Sequence, residues 1–255
     1  MDAKHWNSVA SKYDEFVFNS LAADQRGHMT ELLDRFASRE KTAGDFGCGV
    51  GKYLPALASR FGRIVAMDHS AKCLAVARQA CRRFSTINYH VVHMGQPIKP
   101  VAKVDFALCA NVLLSTSCRE RQIMLENIRR MLKAGGRLLL LAPSLESALL
   151  THHRRAEWKR RAPTKSNGWM PGSVAFSRHG GATVANGHLT INRVSTKHHL
   201  REELEIALTN AGFKVDEVRK LEYAWTTEFD RPPAWMKAPF PWDWLMVGHV
   251  AGARW

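Results

Sequence analysis

Three glycines at alternate positions, Gly47, Gly49 and Gly51, constrain the fold of this chain more than any other feature. They follow a short predicted strand that ends at Phe46, and a helical pattern begins at about Lys52. Glycine has no Cβ, so its backbone adopts positive φ angles and approaches a ligand closely. The N–H groups at the start of the following helix would face the same point. The pattern therefore predicts a strand, a tight turn and a helix that bind a polar small molecule.

The spacing of these glycines excludes two nucleotide-binding motifs. A dinucleotide fingerprint, G-x-G-x-x-G, needs glycine where this chain has Lys52. A phosphate-binding P-loop needs Ser or Thr after Gly-Lys, and Tyr53 stands there instead. The remaining pattern is Asp-x-Gly-x-Gly-x-Gly, which begins at Asp45. It resembles motif I of the class I S-adenosylmethionine (SAM) methyltransferases.

A second part of this resemblance lies downstream of the glycine turn. Residues 62–67 read as a second strand, and Asp68 follows its apolar run. The carboxyl ends of neighbouring parallel strands lie side by side, so we expect Asp68 to face the same crevice as Gly49. In this family the equivalent acid accepts hydrogen bonds from both ribose hydroxyls of the cofactor. The resemblance implies the same role for Asp68.

The resemblance also implies a set of cofactor contacts at four strand ends. Relatives place an acid after the third strand to accept the adenine amino group, whereas this chain has Met94-Gly95-Gln96-Pro97 there. We therefore expect Gln96 or backbone groups to take that contact, and Asn111 in the turn after the fourth strand to line the methionine end. The predicted cofactor-binding residues are Asp45, Gly47, Cys48, Gly49, Gly51, Asp68, His69, Gln96, Asn111 and Val112.

Strands alternate with helices from the glycine turn to residue 142, which predicts a doubly wound α/β sheet. Further strands are expected over 213–225 and 244–251 as an antiparallel pair. The resemblance implies a Rossmann-like, seven-stranded, mostly parallel sheet with an antiparallel last strand. The length favours one domain over 1–255.

Three segments are expected to surround the substrate. Residues 1–37 predict N-terminal lid helices, and Trp6-x6-Tyr13-Asp14 is similar to the aromatic pattern with which relatives cover the cofactor. Residues 144–197 form a long insert, with a basic helix over 151–161 and a strand over 188–195. Residues 226–243 form a loop rich in proline and aromatic residues.

Catalytic candidates follow from the chemistry that the resemblance implies. The SAM sulfonium is a good leaving group, so the protein mainly aligns the reactants and excludes water. A base is needed only where the acceptor holds a proton of high pKa, and the candidates are His198 and Tyr13. A helix cap is the structural alternative for His198. The histidine pairs lack metal-ligand spacing with acids or cysteines, so no metal is expected.

The acceptor-binding candidates are Trp6, Lys197, Trp225 and Trp235. For the tryptophans the structural alternative is core packing. A formal net charge of +14 favours an anionic partner. Five cysteines without a C-x-x-C pair favour reduced thiols and a cytoplasmic location. The chain has no apolar run long enough for a membrane span.

Three functions remain open. The leading one is SAM-dependent methyl transfer to an N, O or S atom of an anionic or aromatic small molecule, with S-adenosylhomocysteine as the product. The second is a tRNA-modifying methyltransferase of the wobble-uridine type, whose motif I is similar to Gly-Cys-Gly-Val-Gly-Lys-Tyr-Leu. The turn at Asn111 has no Pro-Pro-aromatic sequence, which argues against enzymes that methylate base amino groups. The third is a non-catalytic SAM-binding protein.

Overall fold

Seven strands form one mixed sheet in the computed structural model, which describes residues 3–10, 13, 19–162, 184–191 and 194–250. The strands of the described residues are β1 (Ser38–Phe46), β2 (Phe61–Asp68), β3 (Ile87–Val91), β4 (Val104–Ala110), β5 (Leu132–Pro143), β6 (His188–Ile191), β7 (Val194–Lys197), β8 (Phe213–Glu222) and β9 (Trp242–Val250). The sheet order is β3-β2-β1-β4-β5-β9-β8, and β9 runs antiparallel to both of its neighbours. The predicted fold class is confirmed.

Helices cover both faces of this sheet. In the described residues they are α1 (Ala3–Val9), α2 (Ser20–Ala23), α3 (His28–Phe36), α4 (Leu54–Ala58), α5 (Ala71–Ala80), α6 (Cys118–Met131), α7 (Leu145–Arg161) and α8 (Arg201–Asn210). Three of them directly follow a serine that caps the helix. The hydroxyls of Ser70, Ser117 and Ser144 each accept a hydrogen bond from a backbone N–H of the first turn, which has no partner within the helix.

Alternation along β5 divides the core between the two faces. Leu139 and Leu141 pack with α3, α4 and α5, whereas Leu138 and Leu140 pack with α6 and α8. Successive side chains of a strand point to opposite faces, so a strand covered on both sides is apolar throughout. The burial of residues 138–142 follows from this position inside the sheet.

The register of the parallel strands brings their carboxyl ends to one edge. Asp45 of β1 pairs with Ala66 of β2 and with Leu108 of β4. The N–H groups of Gly47 and Cys48 then donate to the carbonyl oxygen of Met67, at 2.7 and 2.9 Å. From β1 the strand order runs one way through β2 to β3 and the other way through β4 to β5. Open α/β sheets bind ligands at such a switch point between two neighbouring strands.

The segments around this edge differ in detail from the sequence-based expectation. The basic helix begins at Leu145 rather than at residue 151, because Ser144 caps it. The single strand predicted over 188–195 is wrong, since β6 and β7 pair as an antiparallel hairpin. Residues 163–183 of the insert and Asp14 of the lid lie outside the described residues. Among the helices described, no one combines the length and apolarity needed to cross a membrane.

One buried side chain of α6 fixes the loop after β3. The amide of Asn127 donates to the carbonyl oxygens of Met94 and Gln96, both at 2.8 Å, and the residue is 1% exposed. If such a donor is removed, the buried carbonyl oxygen has neither water nor a protein group to bond to, and the folded state is destabilised.

We predict that Asn127→Ala lowers the free energy of unfolding by about 2 kcal/mol, because two buried carbonyl groups lose their donors. Urea denaturation followed by circular dichroism measures the change. Glu126→Ala, at an exposed position of the same helix, is the matched control and should shift stability by less than about 0.5 kcal/mol. Equal effects of the two substitutions would contradict a structural role for Asn127.

Candidate active site

The glycine turn after β1 has the conformation that its sequence predicts. Gly47, Gly49 and Gly51 have φ angles of 88°, 53° and 88°. A Cβ on Gly47 would lie 2.3 Å from a methyl group of Val112, and one on Gly49 would lie 2.7 Å from the hydroxyl of Tyr13. Neither position has room for a side chain, so the backbone itself forms the wall of the site.

The carboxylate of Asp68 joins the ends of β1 and β2. It accepts hydrogen bonds from the N–H of Gly49 at 2.9 Å and from the N–H of Ser70 at 2.8 Å. The hydroxyl of Ser70 donates in turn to the side-chain oxygen of Asn7 at 2.7 Å. The N-terminal helix is thereby attached to the strand end that carries Asp68.

Asp45 lies behind the turn. It is 1% exposed, and its Oδ2 has no hydrogen-bond partner among the described residues. Burial and the neighbouring Asp68 raise the pKa of Asp45 to about 8. Asp45 and Gly51 shape the turn from beneath rather than line the cavity above it.

A cavity of about 270 Å³ opens above the turn and extends to the last two strands of the sheet. Its wall includes residues from the N-terminal segment, the glycine turn, the ends of β2 to β5, α6, the hairpin with α7, and the segment from 223 to 243. The predicted residues that line it are Trp6, Tyr13, Gly47, Cys48, Gly49, Asp68, His69, Asn111, Val112 and His198.

The end of the cavity beside β3 is formed by two histidines and a methionine. The rings of His69 and His93 lie 5.4 Å apart, and Met94 is buried next to them. Gln96, which we expected here, is exposed and lies outside the cavity wall, because its backbone carbonyl is held by Asn127. Sequence reasoning missed His93 as a site residue, although the sequence predicts a third strand from Ile87 that ends at it.

The N-terminal residues form one side of the cavity. The rings of Trp6 and Tyr13 lie 5.7 Å apart, and the Lys52 ammonium lies 5.2 Å from the centre of the Tyr13 ring. Burial, followed by the charge of Asp68, raises the pKa of Tyr13 far above its ordinary value. The hydroxyl therefore stays protonated at neutral pH and serves as a hydrogen-bond donor rather than as a base.

At the opposite end the cavity is acidic. The Tyr223 hydroxyl donates to Asp243 at 2.8 Å, and Glu228 lines the same end. Burial raises the pKa of Asp243 to about 6, against hydrogen bonds from Tyr223 and Asn111 that lower it. Burial and the charge of Asp243 raise the pKa of Glu228 to about 7. Sequence reasoning missed both acids. Glu228 lies among the aromatic residues of the loop before β9, and Asp243 is the second residue of β9.

His198 lies in the cavity wall but is a poor base. It is 3% exposed, and its Nδ1 lies 3.4 Å from the carbonyl oxygen of Thr196. Burial lowers the pKa of His198 to about 4, so the imidazole is neutral at physiological pH. The neighbouring His199 is held by the carbonyl oxygen of Leu113 at 2.9 Å, and its pKa is lowered to about 3.

Three predicted acceptor contacts lie outside the cavity wall. The Lys197 ammonium donates to Glu203 of α8 at 2.6 Å and to the Asn186 carbonyl at 2.8 Å, so it joins the insert to α8 instead of facing the cavity. Trp225 is 2% exposed within a separate cluster around Trp158, and Trp235 packs against that cluster. Among the tryptophans described in the C-terminal part of the chain, Trp242 lines the cavity.

Comparison with known proteins agrees with this geometry. Residues 44–140, from β1 to β5, match a family model described as a methyltransferase domain. Over these residues the chain matches a methyltransferase domain, as the resemblance to the class I enzymes predicts. The uncharacterized protein YmfD of Escherichia coli (strain K12) is 33% identical over 124 residues. That match covers 43% of this chain and 55% of YmfD, so it spans about half of that relative's length.

Solved methyltransferases share the fold of this domain. A SAM-dependent methyltransferase from Methanosarcina mazei has a TM-score of 0.60 at 17% identity, over 86% of this chain and 97% of its own. The N-methyltransferase NodS of Bradyrhizobium japonicum, solved with S-adenosylhomocysteine, has a TM-score of 0.58 at 14% identity, over 91% of each chain.

The methyltransferase site has the features that a SAM molecule requires. The turn at Gly49 leaves a cradle that a Cβ would fill, and Asp68 stands beside it. Two buried polar atoms of the cavity wall, His93 Nδ1 and Asn111 Oδ1, have no partner among the described residues. Buried polar atoms are almost always hydrogen-bonded, so these two indicate a polar ligand or water.

We predict that Gly49→Ala weakens S-adenosylhomocysteine binding about tenfold or more, because the new methyl group collides with Tyr13 and displaces the turn. Isothermal titration calorimetry measures the affinity. Gly135→Ala is the matched control, since its φ of +72° carries a similar left-handed strain of about 1 kcal/mol but its Cβ meets nothing within 4 Å. Equal affinities in the two variants would show that the turn does not contact the ligand.

We also predict that His93→Ala weakens binding of adenosine and of S-adenosylhomocysteine by the same factor, about fivefold, because stacking on a base contributes about 1 kcal/mol. Gln96→Ala, three residues farther from β3 and outside the cavity, should leave both affinities unchanged. A larger loss in Gln96→Ala than in His93→Ala would restore the sequence-based expectation for this end of the site.

Proposed function

We propose that this protein transfers a methyl group from SAM to an N, O or S atom of a small molecule. One observation carries the proposal: a single cavity connects the glycine turn and Asp68 with a second, acidic end at Asp243. Contacts of the wall residues place these ends close together. Val112 packs on Gly47, and its neighbour Asn111 hydrogen-bonds to Asp243. An acceptor beside Asp243 would lie next to the cofactor.

The residues of the glycine turn and of the strand ends would hold the cofactor. Asp68 offers carboxylate oxygens for ribose hydroxyls, and the backbone of the turn admits the rest of the molecule at close range. His69 and His93 would enclose the adenine. Bound SAM supplies an electrophilic methyl group on a sulfonium.

The chain's contribution is then alignment, exclusion of water and removal of a proton. Trp6 and Tyr13 cover the glycine turn from the N-terminal side. His198, neutral and buried, would orient the acceptor rather than remove its proton. Asp243 and Glu228 titrate close to neutral pH and are better placed as proton acceptors.

A tRNA substrate is the second candidate, because a basic helix borders the cavity. Ser147, Ala148 and Thr151 of α7 line the cavity, and the same helix exposes Lys159 and Arg160 farther along. The net charge of +14 is of the sign that phosphate backbones attract. Methyl transfer to bulk tRNA that falls steeply with rising salt would favour this candidate over a small molecule.

We also propose a cytoplasmic location for the protein, because its five cysteines are free thiols.

We predict that Asp68→Ala weakens S-adenosylhomocysteine binding about thirtyfold or more, because the carboxylate would accept two ribose hydroxyls. Calorimetry on the wild type and the variant measures the loss. Asp34→Ala, whose side chain is exposed and paired with Arg60, is the control and should bind like the wild type. Asp68→Asn keeps an acceptor for the Gly49 N–H and separates the effect on the turn from the effect on the ligand.

Labelled methyl transfer from SAM to a metabolite library and to bulk tRNA then tests turnover. Transfer to a small molecule that Asp68→Ala reduces in parallel with binding is the expected result. Tight S-adenosylhomocysteine binding without transfer to any metabolite or RNA would instead support a non-catalytic SAM-binding protein.

A further inference from the structure

We infer that the methyl acceptor is an amine, bound as an ammonium between Asp243 and Asn111, and that the Asp243–Glu228 pair takes up its proton. This inference rests on the proposed function and names the substrate class of the same site. Three independent features of the acidic end support it: its hydrogen-bonding atoms, its aromatic residues and its charge.

The polar atoms at this end are acceptors that need a donor. Asp243 presents carboxylate oxygens to the cavity, and Oδ1 of Asn111 is buried with no partner in the part of the chain that the structure describes. The Asn111 side chain also donates to Asp243, which fixes its amide and leaves its oxygen as the atom that needs a donor. An ammonium group carries three donors and no acceptor, so it satisfies both residues at once.

Trp242 gives a second sign of a ligand at this end. The residue is 7% exposed and lines the cavity, yet its indole N–H has no partner among the described residues. A buried indole N–H normally finds an acceptor, which an oxygen elsewhere on the amine would provide. The Tyr223 ring also stands in the wall, and aromatic faces attract cations; the Trp242 ring already has the Lys220 ammonium 3.7 Å from its centre.

The local charge at this end is opposite to that of the whole protein. Asp243 and Glu228 are both acids, and no arginine lines the cavity within the described ranges. The lysine in the wall, Lys52, contacts Tyr13 on the N-terminal side. A carboxylate or phosphate acceptor would bring a further negative charge against two acids, which is strongly unfavourable away from bulk water. We therefore replace the anionic acceptor, which the net charge alone suggested, with a cationic one.

The proton balance of the reaction is complete with this pair. A carboxylate of the pair takes one proton from the ammonium and leaves a neutral amine. The nitrogen lone pair then forms the new N–C bond while the S–C bond of the methyl donor breaks, and that bond's electron pair stays on sulfur. The positive charge of the sulfonium ends on the methylated nitrogen, and the protonated carboxyl returns its proton to water.

The pair also determines how amine binding depends on pH. The groups that face Asp243 are Tyr223 after β8, Tyr53 before α4, Asn111 after β4, the backbone N–H of Ser144 before α7, and Glu228 from the loop. Because the pKa values of the two acids are raised to about 6 and 7, the site gains negative charge as the pH rises through this range. Affinity for an ammonium should therefore increase from pH 5.5 to pH 8, on the order of tenfold.

The test compares amines with carboxylates of the same shape on the S-adenosylhomocysteine complex of the full chain. The probes are phenethylamine against 3-phenylpropionate, tyramine against 3-(4-hydroxyphenyl)propionate, and 5-aminopentanol against 5-hydroxypentanoate. Thermal shift and calorimetry measure binding at pH 5.5 and pH 8. We expect at least one amine to bind, to exceed its carboxylate partner about thirtyfold or more, and to bind better at pH 8.

Variants assign the preference to the acidic end. Asp243→Asn and Glu228→Gln should each reduce amine affinity about tenfold or more, flatten its pH dependence and leave S-adenosylhomocysteine affinity unchanged. Asp230→Asn changes an exposed acid two residues from Glu228 and is the matched control, expected to bind like the wild type. If an acid-to-amide variant fails to fold, the comparison of amines with carboxylates on the wild type still tests the inference.

Equal or tighter binding of the carboxylates, or no binding by any amine, would overturn the inference. An amine preference that survives both Asp243→Asn and Glu228→Gln would overturn it as well. These results are separate from a failure of the proposed function, which would appear as absent S-adenosylhomocysteine binding in the wild type. If the protein binds S-adenosylhomocysteine but prefers carboxylates, the proposed methyltransferase function stands and only the inference that the acceptor is an amine is wrong.

Discussion

The hydrogen bonds that Asp68 accepts from Gly49 and Ser70 are the interaction on which the rest of the site depends. They fix the ends of β1 and β2 against each other at the edge where a ligand enters. The glycine turn can then expose its backbone, because its position is held by the neighbouring strand rather than by side chains of its own. Ser70 extends the same network to Asn7, so the N-terminal helix is located by the strand end that it covers.

The electrostatics of the cavity are set locally. A net charge of +14 describes the surface of the whole protein, yet the end of the cavity beside β9 contains Asp243 and Glu228. Burial keeps their charged forms unfavourable, which raises both pKa values toward neutrality and suits them to exchange protons. Burial lowers the pKa of His198, so its imidazole stays neutral and is a poor base.

Distant elements support each part of the site. Asn127 of α6 holds the loop that carries Met94, and Ser144 begins the helix whose first turns line the cavity. Aromatic residues that look equivalent in sequence have separate roles. Trp225 and Trp235 belong to a cluster around Trp158, whereas Trp242 faces the cavity.

The sequence by itself determined the fold class and the cofactor end. Glycine spacing and strand-end acids are local signals, so Gly49 and Asp68 could be placed from a few neighbouring residues. The segment from 223 to 243 was recognisable as aromatic, but which side chain faces the cavity depends on how β8 and β9 pair with each other and with β5. Only the tertiary structure therefore brought Tyr223, Glu228 and Asp243 together and removed Lys197 to a partner in α8. A pKa depends on burial and on neighbours distant in sequence, so the lowered pKa of His198 and the raised pKa values of Asp243 and Glu228 could not be read from residue types.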